Sequence, residues 1–213
     1  WFGTLLLFFS SSLQHMLFIN KGQSLKSGEI KEPNIMNIIG LHMKKLEDQT
    51  DVMQHEITSF TVTLMQSGGA STAQSDRAYN YVRAADELES IADYAASLCS
   101  YMRRLEKHEL DYTEDGWKDL HNFHHEVFTF FTQVCRAFNN EDVSSTRKIY
   151  DEANRLNDLA DEVRKAHLAR MKEGSCGALP ALTFSDMAVA LRRIKNHTVN
   201  LHEALFAEDS TAT

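Results

Sequence analysis

The stretch ADELESIADYAASL, residues 85–98, places Asp86, Glu87, Glu89 and Asp93 among small and apolar neighbours. Wound as a helix at 100° per residue, Asp86, Glu89 and Asp93 fall within roughly 60° of one another, on a stripe well away from Leu88. Like charges at i,i+3 and i,i+4 oppose the helix by a few tenths of a kcal/mol, and Ser90 and Ala92 bring no basic group to offset them. A cation would. Carboxylate oxygens are hard donors that suit Mg²⁺, Ca²⁺, Mn²⁺ or iron, and a second helix facing the stripe would let an ion bridge several of them. The plainer alternative is a solvated acidic face opposite a core stripe.

Other chemistry finds less support. His121, His124 and His125 crowd one segment, and the i,i+4 pair His121/His125 has metal-ligand spacing, but His124 falls on an apolar stripe and reads as a core-edge residue. His197 reads as a helix-surface or interface histidine. The ExxH and HExxH motifs are both missing, as are a P-loop and a GxGxxG turn, so di-iron, zincin and nucleotide-binding readings lack their residues. No catalytic residue and no organic cofactor site is assigned. The three cysteines, Cys99, Cys135 and Cys176, share no CxxC spacing and fit packing positions in a reducing compartment. A net charge of −8, with no basic run longer than Arg103-Arg104 or Arg192-Arg193, excludes nucleic acid as the expected partner.

The elements that position the carboxylates are helices. Two prolines and nine glycines in 213 residues, 43% of them hydrophobic, leave long periodic segments and predict an all-α chain. Five helices are expected at about 34–66, 74–106, 115–138, 143–171 and 183–207. Their stripes run through Ile39, Leu46, Ile57, Phe60 and Leu64, then Leu88, Ile91, Leu98 and Leu105, then Val127, Phe131 and Phe138, then Ile149, Leu156 and Val163, then Leu191, Ile194 and Leu201. The four-three alternation in the second helix is that of antiparallel bundle packing.

Residues 1–19 carry no formal charge and are followed by Lys21 and Lys26, the pattern of a membrane-associated segment with its continuation on the cytoplasmic side. Ser10–Ser12, Gln14 and His15 keep open an amphipathic or packing helix instead. The expected division is 1–33 for that segment and a polar linker, 34–207 for the bundle and 208–213 for a flexible tail. The start at Trp1, with no initiator Met, points to a fragment or a processed product.

A weak repeat supports the bundle. KLEDQTDV (45–52) aligns with RLNDLADE (155–162), and ELESIADYAASL (87–98) with ALRRIKNHTVNL (190–201), so two related helical hairpins are expected.

With the repeat in view, RAADELESIADYAASL (83–98) resembles the helix signature of the PhoU family of phosphate-uptake regulators, Glu89-x-x-x-Asp93 filling the E/D-x-x-x-D motif. The resemblance extends over about 35–205. It implies a PhoU-like bundle, no enzymatic activity, and metal bound on the bundle surface by Asp86, Glu87, Glu89 and Asp93, the ion being divalent or iron. In the second copy Arg192 and Asn196 stand where Glu89 and Asp93 stand, so a second cluster is not expected; the sixth helix of the family pattern is also missing.

An apolar segment, a linker and a PhoU-like region together resemble the C-terminal end of bacterial sodium/phosphate cotransporters. That implies a regulatory domain on the cytoplasmic face of the inner membrane, with the transporter portion of its parent chain as partner. Inorganic phosphate as a direct ligand and a homodimer are left open. Three alternatives stand beside it: a soluble PhoU-like regulator without a tether, a metal-dependent enzyme using Glu87, Glu89, Asp93 and His121/His125, and a metal-free scaffold bundle.

Overall fold

The structure is a computed structural model that describes residues 35–206, apart from 70 and 141. The expected membrane-associated segment, the linker and the tail at 208–213 lie outside the described residues. Five α-helices make up the described chain: α1 (Ile35–Gln66), α2 (Thr72–Lys107), α3 (Glu114–Asn139), α4 (Thr146–Lys172) and α5 (Ala178–Phe206), with a 3₁₀ turn at Val143–Ser145 ahead of α4. No strand occurs among the described residues. None of the described helices is long and apolar enough to cross a membrane.

Local chemistry sets the helix ends. Ser71 and Gln74 form a capping box at the start of α2: Ser71 Oγ accepts from the Gln74 amide at 3.3 Å and Gln74 Oε1 accepts from the Ser71 amide at 2.9 Å. Thr113 caps α3 by accepting from the Gly116 amide at 3.1 Å, and Glu114 and Asp115 add negative charge to its first turn. The chain leaves α4 through Gly174 at φ +70°, a left-handed turn that glycine adopts without strain. The fifth helix starts at Ala178, five residues before the expected position, because Pro180 sits in the first turn, where its missing N–H has no carbonyl to meet.

The long antiparallel pair α2 and α5 forms the spine. On one side α1 packs against α2; on the other α3 and α4 pack against α5 and against each other. A single apolar cluster runs through the spine, from Leu88, Ile91, Leu98 and Met102 to Phe184, Leu191, Ile194 and Leu201. Phe123, Phe130, Phe131 and Leu156 continue it into the α3–α4 side. Interior alanines, Ala84, Ala92 and Ala95 on α2 and Ala190 on α5, let the helices approach closely.

The repeat has a structural counterpart. The sequence alignment pairs Tyr94 with His197, and those two rings stack on each other at 5.6 Å between centroids. Antiparallel helices in which a residue meets its own counterpart are related by a two-fold axis through that contact. The spine therefore has approximate internal symmetry, with α1–α2 answering to α4–α5.

Two expectations for the core are corrected. Phe60 and Leu64 of α1 are 70% and 44% exposed, and Phe138 of α3 is 40% exposed. They line a groove of about 1120 Å³ between the C-terminal half of α1 and the N-terminal half of α2, closed on its inner side by Cys135 and Phe138 of α3 and by Leu201 and Leu205 of α5.

The core assignment predicts a graded response. Leu98→Ala, at a position 1% exposed, is expected to cost about 2–5 kcal/mol by leaving a cavity in the spine. Ser71→Ala is expected to cost about 1 kcal/mol through the lost cap. Urea denaturation midpoints of the two variants check both values and their order.

Candidate metal centre

Helix α1 is the second helix that the acidic stripe of α2 requires. Glu47 and Asp51 lie one turn apart on α1, and Asp93 of α2 faces them; one carboxylate oxygen from each lies within 4.8 Å of the others. Among the described residues this is the one set of three or more acidic, histidine or cysteine side chains arranged so. Buried Met43, Leu46 and Thr50 hold that stretch of α1 against α2, which turns Glu47 and Asp51 to the rim of the seam. Thr50 Oγ1 donates to the carbonyl of Leu46 at 2.9 Å, so this polar side chain is satisfied within its own helix.

The charges are crowded. Burial, then the Glu47 and Asp51 carboxylates, raise the pKa of Asp93. Burial, then Asp93 and Asp51, raise that of Glu89. One cation stands close by: Lys44 pairs with Glu47 and reaches Asp48 at 3.1 Å, one helical turn along α1. Its ammonium is 61% exposed and its pKa is raised by the hydrogen bonds to those two acids. The donor set is all carboxylate oxygen, which fits a hard ion such as Mg²⁺, Mn²⁺, Ca²⁺ or iron and does not fit a thiolate-seeking one.

The four residues expected from the sequence divide. Asp93 is in the triad, and Glu89 stands beside it, near enough for its charge to be felt. Asp86 is engaged by α1 in a different way, accepting from Gln54 Nε2 at 2.7 Å. Glu87 faces the other flank: it accepts from His197 Nδ1 at 2.7 Å and from Asn200 Nδ2 at 3.2 Å, so its carboxylate serves the α2–α5 seam. Glu47 and Asp51 were not singled out in the sequence as ligands. Their signal was the spacing itself, since Glu47-x-x-x-Asp51 repeats the spacing of Glu89-x-x-x-Asp93 one helix earlier.

The histidines occupy other places. His124 is 2% exposed and packs on Phe128, and burial, with repulsion from His121 and His125, pulls its pKa down to about 3. It is a core residue, deeper than the edge position expected. His121 and His125 do not join the carboxylate triad. His197, at the interface, stacks on Tyr94 and holds Glu87.

The comparisons with known proteins agree with this architecture. No curated protein matches the chain in sequence. The crystal structure of PhoU from Pseudomonas aeruginosa is similar to it with a TM-score of 0.82 at 14% identity, over 99% of this chain and 93% of that one, which is a likeness of fold. The family model described as the PhoU domain matches residues 41–102 and 120–205, taking in the α1–α2 hairpin with its acidic triad and then α3 to α5. The chain belongs to the PhoU domain family of regulatory helical bundles.

Proposed function

We propose that the chain is a cytoplasmic regulatory domain of sodium-dependent uptake of inorganic phosphate, working at the inner face of the membrane beside the transporter portion of its parent chain. A hard divalent or iron ion held by Glu47, Asp51 and Asp93, with Glu89 alongside, is its control element. The convergence of three carboxylates from two helices within 4.8 Å carries this reading. A bound ion reverses the local charge, so that the same rim repels anions without metal and attracts them with it. Phosphate or an acidic partner surface would then be read only by the loaded form. Family membership supports the regulatory role. The transport link rests on the resemblance of the whole arrangement to a cotransporter tail.

Elemental analysis of the full chain purified without chelator tests the metal directly. Stoichiometric metal is expected in the wild type and its loss in Asp51→Asn/Asp93→Asn; no metal in the wild type would overturn the reading and leave a scaffold bundle. In cells expressing the parent transporter, the same substitutions are expected to change sodium-dependent phosphate uptake without changing the amount of protein.

A sign reversal gives a second check. A carboxyl whose folded pKa is raised stabilises the fold below its unfolded pKa, and that contribution is lost as pH rises through the folded value. In chelator, Asp93→Asn therefore stabilises the protein at pH 7, by about 0.2–0.5 kcal/mol for relief of a like-charged i,i+4 pair. The gain disappears below the ordinary carboxylate range. With metal at a hundred times its Kd the wild type gains about 2.7 kcal/mol that the variant lacks, and the order of the two inverts. Thermal melts with and without chelator, at about pH 2.5 and pH 7, below and above the ordinary carboxylate range, read all four cases.

A further inference from the structure

The internal symmetry lets the acidic rim be compared with its own counterpart. In the register of the repeat, Asn157 of α4 stands where Glu47 stands and Asp161 where Asp51 stands. On α5, Arg192 answers to Glu89 and Asn196 to Asp93. Of four carboxylates, one survives. A fifth position has changed more. Ala92, beside Asp93 and 1% exposed, is answered by Lys195, which is 6% exposed.

An ammonium placed at an interior alanine position has to be accounted for, because burying a charge costs several kcal/mol unless it is held. Lys195 is held by the counterpart of a triad member: Nζ donates to Asn157 Oδ1 at 2.8 Å. That bond crosses the α4–α5 seam and delivers a positive charge to the amide that replaces Glu47. Burial and the neighbouring Arg192 both lower its pKa, as expected of a cation with little negative charge around it.

We propose that Lys195 is the built-in cation of the second half, seated at the counterpart of the first-half metal position, so that the chain takes a metal ion on its α1–α2 half alone. The neutral Asn157 and Asn196 follow from this, since a tethered single charge needs fewer opposing carboxylates than a divalent ion. The α4–α5 half then keeps its cation at any metal concentration, and only the α1–α2 half responds to metal. This rests on the metal reading of the triad for its first half and is tested independently of it.

The experiment counts Mn²⁺ bound to the full chain by electron paramagnetic resonance, in the wild-type background and in Asp51→Asn/Asp93→Asn. Asn157→Glu/Asn196→Asp restores the carboxylates and keeps Lys195; Asn157→Glu/Lys195→Ala/Asn196→Asp also clears the cation. The first is expected to bind no additional Mn²⁺ and the second one more ion per chain, in both backgrounds. Equal gain in the two variants, or none in a folded triple variant, would overturn the proposal. Two ions on the wild type would do so as well. If the wild type binds none while the triple variant gains its ion, the reading of the first half fails and the assignment of Lys195 stands. Should the triple variant not fold, Asn157→Glu/Asn196→Asp decides by its melting temperature. A rise that Mn²⁺ leaves unmoved supports a resident ammonium, and a Mn²⁺-dependent rise refutes it.

Discussion

The α2–α5 contact is the constraint from which the remaining geometry follows. Both helices are long, both carry interior alanines, and they meet antiparallel with Tyr94 against His197 at the middle. Apolar burial drives the contact: each fully buried Leu or Ile contributes about 1.5–3 kcal/mol relative to exposure, and Leu98, Ile91, Leu191 and Ile194 are all 2% exposed or less. Burial has no direction, however. The register is fixed by polar groups along the edge: Glu87 with His197 and Asn200 near the centre, and Arg104 with Asp186 at 3.4 Å toward one end. With that register set, α1 and α4 are left on opposite flanks, and each presents one face to a spine helix.

That placement explains which parts of the structure could be read in advance. The seam of α2 was legible from Ala84 to Leu105, because a helix buried along one face repeats its apolar residues at the helical period. The C-terminal half of α1 shows the same periodicity, yet Phe60 and Leu64 are exposed, since periodicity reports a helix with an apolar face and says nothing of what covers that face. The start of α5 differs in the opposite direction: a proline, helix-breaking in an interior, is tolerated at Pro180 in the first turn, and Thr183, the expected start, lies inside α5.

The site was half legible for a similar reason. Spacing within one helix locates Asp93 and Glu89 on a common stripe, but it cannot supply the facing helix, so Glu47 and Asp51 emerge only when α1 is docked. Glu87 could have been separated from the others by angle alone. It lies about 100° from Asp86, on the side away from Glu89 and Asp93, and that side is where α5 packs. The four acidic residues of one short run thus do three different jobs: one completes the triad with a second beside it, one accepts from Gln54, and one ties the spine together.

Symmetry of backbone without symmetry of charge is then an informative state for a regulatory bundle. Two identical acidic rims would load and unload together, and each would leave the spine under the same stress when empty. A chain with Lys195 in one rim and three convergent carboxylates in the other has one flank whose electrostatics is fixed by covalent attachment and one whose electrostatics depends on solution. On the proposed metal reading, an empty rim leaves Asp93 and Glu89 repelled by the acids of α1 across the α1–α2 seam, while α3, α4 and α5 keep their contacts. On that reading the response to metal is concentrated at α1, whose packing among the described helices is chiefly with α2.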